Sequence, residues 1–385
     1  MNKVFIAHAG VITAFGHGLD NMYQNLLKAQ DGFSRVTRFD TTPYVSSIAG
    51  IIPGLSLPVS GSKETAALDL AMDLIRELPE NLFENLRTGR LISASTKGGI
   101  DLIRNCKLPS NFHPGLSGSG LPVSSLAALI ALEMGIKQSS YNISAACASS
   151  TIAMAKAADL ISRGREHTIA VLAQDLVTEF TFSGFSALGA MGPGPAMPFD
   201  QNRKGLTLGE GAALLILTNQ DKLTEANLPA LAELAGRGIS GDAVHLTAPD
   251  RNASGLKAAI SQACKTADIF SDSIGIISTH GTGTIYNDAM ELTAIKDLFP
   301  PSIIANSIKG SIGHTLGAAG AIEVALCTKL LEQKILPGTK GLKTPEHGAN
   351  PIFSPHNRSF GKMPILTTNS GFGGINAALI IQEAI

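Results

Sequence analysis

Short β-rich runs alternate with longer helical patterns along this chain, and the late strand-like runs end abruptly in loops rich in Gly, Thr, Ser or Asn. Alternation of that kind marks an α/β protein. Strand-like segments fall at 4–7, 91–95, 141–143, 168–173 and 212–217, with helical patterns at 19–29, 65–77, 121–134 and 148–162. A polar helix or connector follows at 219–228, and the alternation resumes with a strand at 230–234, a helix at 254–267 and strands at 275–278, 303–306 and 365–368. A length of 385 residues exceeds the usual size of one hydrophobic core, which predicts two core-forming units. The second starts after the connector. The two share a coarse pattern without obvious sequence identity, so duplication is a hypothesis at this stage. Ligands of α/β folds bind beyond the carboxyl ends of strands, which draws attention to the loops after 278, 306 and 368.

Hydrophobic residues make up 44% of the chain but aromatics only 5%, with 40 glycines and no tryptophan, so small aliphatic side chains must fill the interior. Lys plus Arg total 30 against 31 Asp plus Glu, a balance with no chain-wide field for nucleic acid or anionic lipid. The opening apolar run, broken by His8 and Gly10, is too short for a signal peptide or membrane span. A soluble cytoplasmic protein is expected. The cysteines at 106, 147, 264 and 327 show no zinc-ligand or disulfide spacing.

Cys147 differs from the other three. It follows a short extended run and precedes a helix whose first turns are almost all small residues, so its thiol sits at a helix N-terminus, where backbone N–H groups favour the thiolate. A lone cysteine is more often a buried core residue, which is the reading for Cys106, Cys264 and Cys327. Two histidine loops change the balance. His280 stands just past an apolar strand in the run HGTGT, and His314 stands amid glycines between Lys309 and Gly320, ahead of another small-residue helix. His8, His17, His113, His167, His347 and His356 keep the ordinary structural reading. A sulfur nucleophile needs a partner for its proton and donors for a developing oxyanion, so Cys147, His280 and His314 form a complete set for acyl transfer.

These segments, with the opening 4–40, the run PFDQNRKGLTLGEG at 198–211, Asn287-Asp288 and NSGFGGIN at 369–376, resemble the β-ketoacyl-[acyl-carrier-protein] synthases over almost the whole chain. The resemblance implies a thiolase-like fold of two similar halves layered α-β-α-β-α: 1–225 with Cys147 on a buried central helix, and 226–385 with His280, Lys309 and His314. It implies that Cys147 accepts an acyl chain from an acyl carrier protein and that a malonyl carrier then decarboxylates and attacks the thioester, His280 and His314 donating hydrogen bonds to the enolate oxygen. A pair of histidines marks the elongating type; initiating synthases carry histidine and asparagine. Lys309 is implied to pair with Glu291, Thr282 and Thr284 to hold the pantetheine arm, and the backbone N–H groups of Cys147 and Phe372 to form the oxyanion hole, Phe372 also serving as gate. Asp200, Arg203, Gly205 and Glu210 read as scaffold beneath the site.

The resemblance further implies a homodimer, or a heterodimer with a related subunit, and chemistry that needs no metal or organic cofactor. A non-catalytic chain-length-factor-like subunit is the rival reading, opposed by the intact cysteine; a thiolase would carry a second cysteine near the C-terminus. Two departures stand out. The usual phenylalanine before Gly371 is absent with Ile375 where threonine is common, and the loop 183–197 carries Gly192-Pro-Gly-Pro195. Both point to an unusual acyl pocket and lean toward a specialised polyene or polyketide pathway over housekeeping fatty acid elongation.

Overall fold

The computed structural model describes residues 2–57, 65–102 and 123–384. Cys106 and His113 lie outside the described residues. Ten strands form one continuous path: β1 (Phe5–Thr13), β2 (Arg90–Ala94), β3 (Tyr141–Ile143), β4 (Thr168–Asp175), β5 (Gly211–Thr218), β6 (Ala232–Gly241), β7 (Ile276–Ser278), β8 (Ile304–Asn306), β9 (Ile365–Gly371) and β10 (Ile375–Gln382). The first five run in the order β3-β2-β4-β5-β1 and the last five in the order β8-β7-β9-β10-β6. Numbered within each set, both orders read 3-2-4-5-1. Strand directions match as well, since β2 runs parallel to β3 and β4 as β7 does to β8 and β9, and the remaining pairs are antiparallel. The two halves therefore share one topology, and they join where β1 pairs with β6 at Phe5–Glu233 and Ile6–Ala232.

The layering follows from side-chain alternation along these strands. In the first half Ala170, Leu172, Leu214 and Ile216 pack on α1 (Ala66–Arg76) and α2 (Val123–Glu133), while Ile169, Val171, Leu215 and Leu217 face the opposite way. That inner face meets α3 (Ser149–Ser162) and α7 (Ala319–Gln333), and the inner face of the second half, with Ile276, Ile365 and Leu379, covers the same helices from the other side. The outer face of the second half, with Ile277, Leu366 and Ile380, packs on α5 (Ser254–Ala267) and α6 (Ile285–Leu298). The result is helix, sheet, helix, sheet, helix. Gly320 lets the two central helices approach, since a Cβ there would lie 2.0 Å from Thr151 Oγ1.

Several elements exceed the sequence reading. β1 runs on to Thr13 through His8 and Gly10, with a register shift between Ile6 and His8 absorbing the break in apolar pattern. The loop at 183–197 begins later than the composition suggests, because α4 (Glu179–Ala187) is capped by Thr178, whose hydroxyl accepts from Thr181 N. Among the described residues no helix is long and apolar enough to cross a membrane.

Candidate active site

Cys147 lies in the turn between β3 and α3, 7% exposed. The preceding Ala146 has φ 48, a left-handed conformation costly for a residue with a Cβ. Ser149 holds the turn, its Oγ donating to Ala146 O at 2.6 Å and accepting from Ala145 N at 2.9 Å. The end of β9 backs it, since a Cβ on Gly371 would lie 3.1 Å from Cys147 N. Burial pushes the thiol up to about 11, with Lys309 and Lys97 pulling it down and Asp175 opposing them. Desolvation thus opposes the pull of the helix N-terminus toward the thiolate. The proton needs a local acceptor. His314 Nε2 stands 2.9 Å from Cys147 Sγ.

His280 and His314 meet edge to face, ring centroids 5.1 Å apart and planes at 84°. Burial, then the charge of Lys309, holds both imidazoles well below the usual histidine range, so both are neutral at physiological pH; His314 adds to the effect on His280. Neutral histidines donate from one nitrogen only, and the surroundings choose which. Thr151 Oγ1 donates to Asn369 Oδ1, which turns the Asn369 amide nitrogen toward Glu323 Oε2 at 2.8 Å and His280 Nδ1 at 3.2 Å. With Nδ1 accepting, the proton of His280 sits on Nε2. Asn369 was only part of a motif in the sequence; its place between Thr151, Glu323 and His280 makes it a positioning residue.

The expected pairing of Lys309 with Glu291 is not what the fold makes. Lys309 Nζ pairs with Glu323 Oε1 at 2.5 Å, both groups almost fully buried. Glu291 instead ties the backbone of the histidine loop, accepting from His280 N at 2.7 Å, Gly281 N at 2.6 Å and Asn287 Nδ2 at 2.8 Å. Asp288 does the same one turn earlier, accepting from Thr282 N, Gly283 N and Phe199 N. Both are on the first turns of α6, where N-terminal carboxylates satisfy loop donors. Gly281 at φ 40 is required, since a Cβ would fall 2.5 Å from Ser307 Cβ. Of the residues read as scaffold, Glu210 accepts from Arg38, Ile52 N and Val177 N, and Arg203 spans to Asp288 and Glu346.

Models of the beta-ketoacyl synthase N-terminal and C-terminal domains match residues 76–222 and 231–343. The chain belongs to the beta-ketoacyl synthase family. It is 29% identical to 3-oxoacyl-[acyl-carrier-protein] synthase 2 of Vibrio cholerae serotype O1, with 99% of each chain aligned. Nodulation protein E of Rhizobium meliloti is 29% identical over 77% of this chain and 76% of its own length. Among solved structures, the ishigamide ketosynthase/chain length factor superposes with a TM-score of 0.89 at 26% identity, and a type II polyketide acyl-carrier protein in complex with its ketosynthase bound to the hexaketide gives 0.87 at 25%; all of each chain is covered in both. These neighbours are thiolase-fold ketosynthases, and the layered fold described above is theirs.

Two cavities of this synthase meet at Cys147. The first, ≈ 310 Å³, contains His280, His314, Thr282, Thr284 and Phe372 and opens past Lys204, Ile285 and Tyr286. Thr282 Oγ1 and Thr284 Oγ1 lie 2.9 Å apart along its wall. The second, also ≈ 310 Å³, lies on the other side of Phe372, Phe185 and Leu188 and is walled by Phe180, Leu316 and Lys97. Phe372 stacks on Phe185 at 5.8 Å between them, so the shortened motif still delivers a phenyl ring to the boundary. The donor atoms of Cys147, His280 and His314 fall within 4.8 Å of one another, close enough for a soft metal ion. The hydrogen bonding opposes ligation, since a ligating histidine donates its far N–H to an acceptor whereas His280 Nδ1 accepts from Asn369.

Proposed function

We propose that this chain catalyses the decarboxylative condensation of an acyl thioester with a malonyl group on acyl carrier protein, giving a 3-oxoacyl carrier. The observation that carries the reading is the approach of His314 Nε2 to Cys147 Sγ, 2.9 Å, with His280 across the same cavity. Cys147 attacks the incoming acyl thioester, and its proton passes through His314 to the departing carrier thiol. A malonyl carrier then enters the first cavity along Thr282 and Thr284. The malonyl C–C bond breaks, carbon dioxide leaves, and the freed electron pair becomes an enolate whose oxygen accepts from His280 Nε2–H, with His314 alongside. The enolate carbon attacks the Cys147 thioester, and the tetrahedral oxyanion rests on the backbone N–H groups of Cys147 and Phe372, a donor of that kind contributing about 3 kcal/mol. Collapse expels the cysteine sulfur as thiolate, which takes up from water the one proton the condensation consumes.

Lys309 acts at one remove, its charge on Glu323 and through Asn369 on His280. The relatives named as 3-oxoacyl-[acyl-carrier-protein] synthases and the ketosynthase in complex with its carrier protein support a carrier-borne substrate. Structures pairing a ketosynthase with a chain length factor support a dimer with a like or related chain. A division near residue 225, between the two like-wound halves, and a cytoplasmic site of action complete the reading. Intact-mass measurement after incubation with acyl carriers tests it: the wild-type chain should gain the mass of the acyl group, and Cys147→Ala should not. A folded wild-type chain that gains nothing from any carrier would instead favour a non-catalytic partner subunit.

A further inference from the structure

The second cavity is not a plain hydrocarbon tunnel. Leu188, Leu316, Phe185 and Phe372 line it, yet so does Lys97, in the loop after β2. Its ammonium has three donors, and among the described residues it hydrogen-bonds its neighbour Thr96 Oγ1 at 3.3 Å. Among the described residues no carboxylate forms an ion pair with it. The carboxyl of Asp175, which the charge of Lys97 draws down against burial, has its hydrogen bonds with other donors: its oxygens accept from Ser95 Oγ, Thr96 N, Thr96 Oγ1 and Gly317 N. The hydroxyls that share the cavity wall point their protons elsewhere, Thr181 to Thr178 O and Ser183 to Phe180 O. Among the described residues Lys97 is therefore the strong donor the cavity offers to an occupant, and its charge reaches Cys147, where it draws the thiol down against burial.

We propose that Lys97 makes this cavity selective for acyl chains that carry a hydrogen-bond-accepting oxygen beyond the thioester, a carboxylate most strongly. The inference rests on the condensing-enzyme reading, which places the acyl group in the cavity beside Cys147. A saturated chain filling the same space strips water from the ammonium and returns no acceptor, a cost that an oxygen-bearing chain of equal size avoids. The apolar walls then hold the carbons between the thioester and that oxygen. A site built around a polar partner rejects the analogue lacking it far more strongly than an apolar site rejects an added methylene.

The test compares adipoyl, 6-oxoheptanoyl and octanoyl carrier proteins, whose acyl groups have equal numbers of heavy atoms, by the rate of mass gain on Cys147. Wild-type protein should favour adipoyl over octanoyl by about tenfold or more in kcat/KM, with 6-oxoheptanoyl between them. Lys97→Met should collapse that ratio toward one and Lys97→Arg should restore it; a ratio is insensitive to partial loss of folded protein. Octanoyl favoured by the wild type, or a ratio unchanged in Lys97→Met, overturns the role of Lys97 and leaves the synthase reading intact. If no chain is transferred, calorimetry with the amide analogues of adipoyl- and octanoyl-pantetheine separates the two ideas. Preferential adipoyl binding that Lys97→Met removes upholds the site while the synthase reading falls, and equal binding overturns both.

Discussion

The two halves wind their strands alike, yet at equivalent positions they carry different chemistry. Counting from the paired ends of β2 with β4 and of β7 with β9, Ala173 corresponds to Thr367 and Asp175 to Asn369. Each of these polar residues reaches across to the start of the other half's central helix: Asp175 accepts from Gly317 N just before α7, and Asn369 accepts from Thr151 Oγ1 on α3. In the N-terminal half the acid ends in backbone and hydroxyl donors. In the C-terminal half the amide relays onward to His280 and to the Lys309–Glu323 pair. An amide can accept with one end and donate with the other, which a carboxylate cannot. One half accordingly holds the cysteine, the other holds the two neutral histidines, and residues of both line the cavities that meet at Cys147.

The division is tested most severely by removing the nucleophile. Cys147→Ala should lose acyl transfer by on the order of 10³-fold or more while retaining a folded, two-cavity protein, measured by intact mass and circular dichroism. Lys309→Met comes next. It strands the buried Glu323 carboxylate, and an equilibrium urea titration should show a loss of about 3–5 kcal/mol, most of which the double change Lys309→Met with Glu323→Leu should recover.

Exchanging the equivalent residues sharpens the contrast between halves. Asn369→Ala frees His280 to adopt either tautomer and should slow malonyl-carrier decarboxylation by about tenfold to a hundredfold. Asp175→Asn, with no histidine behind it, should slow the same step by less than about tenfold. Equal effects at the two sites would refute the relay.

The smallest effect expected is on pH dependence. Burial and the neighbouring Asp288 raise Glu291 to about 7, against the backbone N–H groups that lower it. A carboxyl raised on folding binds its proton more tightly in the native chain, so its contribution to stability is complete below the unfolded value near 4.5 and is lost as pH rises through about 7. The stability gap between wild type and Glu291→Gln should therefore be larger at pH 5 than at pH 8, read from urea midpoints at each pH. A gap that widens with pH would show that Glu291 is held ionised.

Legibility varied with the kind of residue concerned. Cys147, His280 and His314 stood out because glycine and small residues surround them, and small residues are what a buried turn and two touching helices require. α6 was harder to see, since Asp288 and Glu291 occupy its buried face and break the apolar period; only the loop N–H groups folded over them make that face acceptable. Lys309 illustrates the opposite failure. Its importance was apparent, but its partner was not, because Glu323 and Glu291 are both acids in the same half and nothing in their spacing tells which one the fold sets against the ammonium.

By itself the sequence determined that the chain alternates strand and helix, that two units follow one another, and that a cysteine and two histidines occupy loops at strand ends. Those features are local, written in periodicity and small side chains. The tertiary structure alone decided that Lys309 meets Glu323, that Asn369 sets the proton of His280 on Nε2, that burial pushes the Cys147 thiol up, and that Lys97 lines a cavity beside Cys147. Each of these depends on groups brought together from distant parts of the chain and on the removal of water between them, and neither is encoded in the spacing of residues along one strand.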